Sequence, residues 1–279
     1  MTTLGFAFNP TNSSTVELRE RSLGWCRERS IEAWAAAAGA HEELVEHLPG
    51  TDVLVVLGGD GTFLRSARAV ALVDVPILGV NAGRVGFLSK AAASQLESVL
   101  GLLAAGDYVL EERMTLEIRI LRGGAGSVLE PHIALNEAAV VRGALARVVR
   151  LDVSIDDSHL ASFIADGLVV ASPTGSTGYS FSAGGPILDP TSRNLVVTPI
   201  AAYLTALRSI VVSPRHVVSV SVTAAQDVQV SIDGREDLPI VVGDAVQVRA
   251  RERPIRFVEP RGATGFWELL RQKAELLPS

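Results

Sequence analysis

The run Val53-Leu54-Val55-Val56-Leu57-Gly58-Gly59-Asp60-Gly61-Thr62 decides the fold. An uninterrupted apolar stretch of this length is what a strand shows when both faces are covered, as in a parallel sheet. The glycines end it at once, and a helical pattern follows from about Thr62 to Ala71. Upstream, Leu4 to Phe8 is a second short buried strand, closed by the turn residues Asn9-Pro10-Thr11-Asn12. Ser14 and Glu17 have the spacing of a capping box. Leu23, Cys26 and Trp34 fall on one face of the helix that follows, with Gly39 as its stop. Downstream, Val75 to Val80 repeats the strand and Ala91 to Leu103 the helix. Strands alternating with helices give a parallel sheet with right-handed crossovers.

The period then changes. Leu116, Ile118 and Ile120 alternate with Glu117 and Arg119, the pattern of a half-buried strand. The same alternation recurs at Leu151–Ile155, Val218–Val222, Val228–Ile232 and Val246–Val248, with Gly, Asp and Pro between. An amphipathic helix from Gly265 to Leu276 carries Phe266, Trp267, Leu269, Leu270 and Leu276. The expected fold class is therefore α/β plus mostly-β: an N-terminal parallel-sheet α/β domain over residues 1–106, a β-rich domain over 107–255, and a C-terminal segment, 256–279, whose helix returns to the first domain.

Bulk properties narrow the function. A chain of 279 residues, 48% hydrophobic, has room for two ordinary cores. A formal charge of −6 argues against a general nucleic-acid binder, which needs a basic face to replace phosphate counterions. The lone cysteine, Cys26, permits no internal disulfide and reads as a packing residue in a reducing, cytoplasmic setting. The start, Met1-Thr2-Thr3-Leu4, lacks a signal peptide's basic and apolar segments, and no apolar run is long enough to span a bilayer. The five histidines, His41, His47, His132, His159 and His216, are scattered without metal-ligand spacing. Arg142, Arg147 and Arg150 read as a solvated face, with an outside role in reaching a phosphate across an oligomer interface.

The glycine turn is where chemistry enters. Glycines let backbone N–H groups approach a phosphate, and the helix start adds partial positive charge. A carboxylate repels phosphate, so Asp60 suits a base or a metal partner better than a cradle. A bare Gly-Asp-Gly is more often a capped turn; three glycines around one acid directly after a buried strand weaken that reading. The chain has neither G-x-x-x-x-G-K-[ST] nor G-x-G-x-x-G, which disfavours Walker-type and dinucleotide hydride-transfer sites. A second unusual stretch, Asp166 to Ser180, continues into Ser182-Ala183-Gly184-Gly185-Pro186. Its glycines and closely spaced hydroxyls suit hydrogen bonding to a ribose or phosphates, and Tyr179 could stack on a base. Ser176 has no His–Asp set beside it, which disfavours a serine hydrolase.

Four segments together resemble the NAD kinase family. They are Gly58–Arg65, Asn81–Leu88 (N-x-G-x-x-G-F-L), Leu135-Asn136-Glu137 and Asp166–Pro186, with Asp233-Gly234-Arg235 resembling the family's late Asp-Gly turn. Their order and spacing extend the likeness over nearly the whole chain. The resemblance implies transfer of the terminal phosphoryl of ATP, or a similar donor, to the 2′-hydroxyl of the adenosine ribose of NAD. It makes Asp60 the general base. It gives Asn136, Glu137, Asp166, Thr177, Gly178, Tyr179, Ser182 and Phe87 to NAD, and Gly59, Gly61, Thr62 and Arg65 to the phosphate donor. It implies Mg2+ or another divalent cation, with no protein ligand named, and a homodimer or homotetramer. Where this chain has Gly178 the family commonly has Ala, and Thr198-Pro199-Ile200-Ala201-Ala202-Tyr203 stands where many members have Cys-Pro-His. Two rivals stay open: a kinase of lipids or other nucleosides with the same turn, and a non-catalytic NAD or NADP sensor.

Overall fold

The structure is a computed structural model and describes residues 2–83, 86–123, 130–143, 148–203, 207–225 and 227–275. Arg84 and Val85 of the N-x-G-x-x-G-F-L segment, Arg147 and Leu276 lie outside the described residues.

The chain divides into two compact units, Met1–Glu112 with Ile255–Ser279, and Arg113–Pro254. The first contains, in order, β1 (Thr3–Phe8), α1 (Ser13–Glu28), β2 (Glu32–Ala37), α2 (His41–His47), β3 (Val53–Leu57), α3 (Asp60–Val73), β4 (Ile77–Asn81), β5 (Ala91–Ala92), α4 (Leu96–Ala105) and β6 (Tyr108–Arg113). Its sheet runs β2-β1-β3-β4-β19-β6, with β5 beside β4 and β19 contributed by Ile255–Pro260 near the end of the chain. The pairings of β1 with β2 and β3, and of β4 with β3, β5 and β19, are parallel. β3 and β4 are buried along their whole length. Leu4, Phe6, Val55, Leu57, Leu78 and Val80 pack with Leu18, Cys26 and Leu100 in one core.

Three local readings are corrected here. The first helix stops at Glu28; Ser30 turns left-handed at φ 54°, and Glu32–Ala37 is a strand. Trp34 therefore lies on β2, not on α1 with Trp25, and its indole sits over Gly5, where a Cβ would stand 2.5 Å from the ring. The α1 cap is Asn12, whose side chain accepts from Ser14 N at 3.0 Å, in place of the Ser14/Glu17 box. Tyr108–Arg113 is a strand of the first sheet, so the units part after Glu112 instead of residue 106 and again after Pro254. Cys26 is buried, and burial pushes its thiol up to about 11, as befits packing.

The second unit contains β7 (Leu116–Leu121), β8 (His132–Ala134), β9 (Glu137–Arg142), β10 (Val149–Ile155), β11 (Ser158–Ala165), β12 (Gly167–Ala171), α5 (Tyr179–Ser182), β13 (Leu195–Ile200), β14 (Ile210–Val212), β15 (Val218–Ala224), β16 (Val228–Ile232), β17 (Glu236–Ile240) and β18 (Ala245–Ala250). They form two six-stranded sheets, β11-β10-β15-β18-β7-β8 and β14-β13-β12-β9-β16-β17. The alternating residues of the sequence meet inside: Ile118, Leu151, Val220 and Val246 of one sheet join Val140, Leu168, Val197 and Val230 of the other in one core. The period of two then sends Glu137, Ala139 and Val141 of β9 to the opposite face of their sheet. α6 (Phe266–Glu275) follows β19, within the first unit.

Candidate active site

In the first unit the Gly-Asp turn lies where β3 ends and α3 begins, next to the ends of β1 and β4, the edge at which open α/β sheets take ligands. Gly58 has φ +153°, and a Cβ there would stand 2.8 Å from Thr62 Oγ1, so only glycine fits. Gly59 is the N-cap and Asp60 the first helical residue. Among the described residues nothing lies within 4 Å of where a Cβ on Gly59 or Gly61 would be, which leaves that face of the turn open.

Asp60 is half-buried. Its Oδ2 accepts from Phe87 N at 3.2 Å and its Oδ1 from Leu88 N at 3.4 Å. Gly86 makes this approach possible, since a Cβ there would run into the Asp60 carboxylate. Asn81 Oδ1 accepts from Gly83 N at 2.8 Å and shapes the start of the same loop. A cavity of about 200 Å³ is lined by Phe8, Asn9 and Pro10 after β1, Ala37–Gly39 after β2, and Thr62 and Arg65 on α3. Thr62 is buried and Arg65 exposed, its Nε donating to Gly61 O at 3.3 Å. Phe87 turns its ring toward the C-terminal helix, 6.0 Å from Phe266 and 5.0 Å from Lys273 Nζ.

In the second unit a cavity of about 470 Å³ opens on the outer face of the β9 sheet, lined by Glu137, Arg142, Asp166, Tyr179, Ser231 and Gly234 among others. Small side chains at Ala139 and Ser231, paired across β9 and β16, leave room for it. Asp233 builds the Asn136-Glu137 turn. Its Oδ2 accepts from Leu135 N at 3.0 Å, and its Oδ1 from Asn136 N at 2.8 Å and Glu137 N at 3.1 Å. Ser172 Oγ adds a bond to Leu135 O at 2.5 Å. Gly175 lies so close to Asn136 that a Cβ would strike the Asn136 backbone.

The turn presents unpartnered polar atoms. Asn136 Oδ1 and Glu137 Oε2 are buried and have no hydrogen-bond partner among the described residues. Burial, with the Asp233 charge added, pushes the Glu137 carboxyl up to about 8, against a smaller downward pull from the Tyr179 N–H. Burial raises Asp233 as well, opposed by the smaller pull of three amide donors. Asp166 is held bidentately by Arg142, Nε to Oδ1 at 2.9 Å and Nη2 to Oδ2 at 3.1 Å.

The structure thus brings Glu137, Asp166 and Tyr179 to one cavity, with Asn136 and Gly178 against Glu137. Gly178 leaves little space: a Cβ would stand 3.1 Å from Glu137 Oε2 and 3.3 Å from Gly175 O. Thr177 and Ser182 are not in that lining; Thr177 Oγ1 bonds to Thr174 O at 3.2 Å, and Ser182 is exposed. Sequence reasoning missed two participants. Arg142 belongs to the cavity, not to a solvated face; it ends the strand that starts at Glu137. Asp233 was noticed as a turn but given no part, although an acid followed by glycine is what a side chain bonding to neighbouring amides needs.

Comparison with known proteins agrees with this arrangement. Residues 4–108 match the family model of the ATP-NAD kinase N-terminal domain, and residues 135–260 that of the ATP-NAD kinase C-terminal domain. The NAD kinase of Heliobacterium modesticaldum is 36% identical over 283 residues, covering 99% of each chain. Two solved structures share the fold at 24% identity. Yeast NADH kinase complexed with NADH has a TM-score of 0.85, covering 99% of this chain and 87% of that one. An NAD kinase from Archaeoglobus fulgidus in complex with ATP has a TM-score of 0.78, covering 99% and 100%. The protein is a kinase by its domains and its relatives alike. Within that class it belongs to the NAD kinase family.

Proposed function

We propose that the chain phosphorylates NAD to NADP at the expense of ATP, with Asp60 as the base. The observation that carries this assignment is a single carboxylate at the head of α3, pinned by two amides beside open glycine backbone. The adenosine 2′-hydroxyl attacks the γ-phosphorus: a P–O bond to the ribose forms, the bridge to the β-phosphate breaks, and ADP leaves. The hydroxyl proton passes to Asp60, an assistance worth roughly 10²–10⁴-fold. The open glycine backbone and the partial positive charge of the α3 terminus serve the donor phosphates at Gly59, Gly61 and Thr62, with Arg65 alongside. On the NAD side, Asn136 offers a buried acceptor and Glu137 a buried carboxyl to the NAD hydroxyl and amino groups. Tyr179 supplies an aromatic face, and the Arg142-held Asp166 the far wall. The family likeness adds Thr177, Gly178, Ser182 and Phe87 to the NAD contacts, Thr177 and Ser182 from outside the lining of the cavity.

Among the described residues no group of three His, Cys, Asp or Glu side chains converges to hold an ion. In this proposal the divalent cation enters with the donor, as the magnesium complex of ATP. The homo-oligomer and the cytoplasmic setting belong to the same proposal; light scattering in solution tests the former. Among the described residues no helix is long and apolar enough to cross a membrane.

The deciding experiment is Asp60→Asn assayed with ATP, magnesium and NAD. Turnover should fall by about 10²-fold or more while calorimetric NAD affinity stays near wild type. A near-normal kcat rejects the base; no NADP from the wild-type protein rejects the reaction and favours the sensor.

A further inference from the structure

We infer that α6 is a positioning element for the reaction: it clamps the 86–88 turn whose amides aim the Asp60 carboxylate, an inference that rests on Asp60 being the base. All of its parts lie in the first unit.

Asp60 is aimed by backbone that is itself not part of a strand or helix. The N–H groups of Phe87 and Leu88 reach its two oxygens at 3.2 and 3.4 Å. Such a loop holds direction only if its own side chains are fixed, and the fixing comes from the end of the chain. The Phe87 ring packs tilted at 45° against Phe266, the first residue of α6. Lys273, on the same helix, holds its ammonium 5.0 Å from the Phe87 centroid. Phe266 is in turn braced edge-on by Trp267, centroids 5.0 Å apart. Below the turn, Lys90 pairs with Glu259 of β19 at 2.5 Å with both side chains largely buried. Leu88 is buried, its carbonyl packed so closely on β4 that a Cβ on Gly79 would stand 2.9 Å away. The turn is thus clamped above by α6 and below by β19 and β4.

The chemistry follows from the short lever. The residue that α6 grips is the residue whose N–H touches Asp60, so any slackening at the ring is felt at the carboxylate. A misplacement of about 1 Å at a reacting group can cost roughly 10²-fold in rate. Most of the NAD contacts, Asn136, Glu137 and Tyr179 among them, lie outside this turn, so substrate affinity changes little.

Three variants of the full chain test this: Phe266→Ala, Phe266→Tyr and Lys273→Met, beside Asp60→Asn. Phe266→Ala should lower kcat at least tenfold with KM for NAD and for ATP within about twofold, and should speed hydrogen exchange at the 86–88 amides without speeding it in α3. Phe266→Tyr, which keeps the ring, should restore kcat. Lys273→Met, at a half-buried position and keeping the side-chain stem, should reduce kcat by a smaller factor, which keeps the test alive if Phe266→Ala does not fold. Unchanged kcat in both Phe266→Ala and Lys273→Met, with Asp60→Asn inactive, overturns the clamp and spares the base; so does a rise in KM alone. An active Asp60→Asn overturns the base itself and the clamp with it.

Discussion

Glu137 keeps a proton that an exposed glutamate would have released, because its carboxyl is buried beside the Asp233 charge. The folded protein holds that proton up to about pH 8, whereas an ordinary glutamate gives it up near 4.5. Between those values the native state binds more protons than the unfolded chain, so stability falls as pH rises through that window and levels off above it. Glu137→Gln removes the titration and keeps the shape. Melting profiles of the ligand-free proteins should therefore diverge from about pH 5 to 8, the variant gaining on the wild type; parallel profiles would exclude a proton on Glu137. Glu137→Ala should weaken NAD binding, and an unchanged dissociation constant would make the residue structural only. Asp233→Ala is the harsher change, since it strands the amides of Leu135, Asn136 and Glu137. At roughly 1–3 kcal/mol for each buried group left unpaired, urea unfolding should show a loss of at least about 3 kcal/mol.

At the scale of elements, close backbone contacts decide what can be changed. Gly175 presses on the backbone of Asn136, whose N–H is held by Asp233 and whose carbonyl accepts from Ser172 N at 2.8 Å. Gly175→Ala should cost about 1–3 kcal/mol or more, the usual range for overpacking, read as a drop in melting temperature; a neutral result would mean that the 135–137 turn is free to shift. The same scale shows what the sequence could and could not reveal. β3, β4 and the alternating strands of the second unit were legible because a covered strand must be apolar and a half-covered one must alternate. β2 was not: Glu32-Ala33-Trp34-Ala35-Ala36-Ala37 has helical propensity, and its strand form comes from pairing with β1 and from the gap that Gly5 leaves for the indole. The glycine-rich turns of the site were legible because glycine is demanded locally. The partnership of Asp233 with Asn136 was not, since 97 residues separate them and only the pairing of β9 with β16 brings them together.

At the scale of the molecule, the first unit is assembled from both ends of the chain around an uninterrupted second unit, Arg113–Pro254. Expressed alone, 113–254 should fold cooperatively, as a sandwich with its own core; circular dichroism with a single urea transition would confirm it, and an unstructured spectrum would show that the core needs more. A chain cut after Pro254 should fare worse. It lacks β19, which lies between β4 and β6, and the two strands facing that gap would show unpaired edges. Such a protein should aggregate in proportion to its concentration, as sedimentation would reveal.

The position of β19 also sets a timetable. A polypeptide emerges from the ribosome N-terminus first, yet the sheet that carries Asp60 has an interior strand made of residues 255–260. The nascent chain can complete its inserted sandwich while the earlier-made sheet is still missing a rung. Catalytic competence therefore arrives only after residues 255–260 have emerged, and the half-built sheet is the interval in which a chaperone has something to hold.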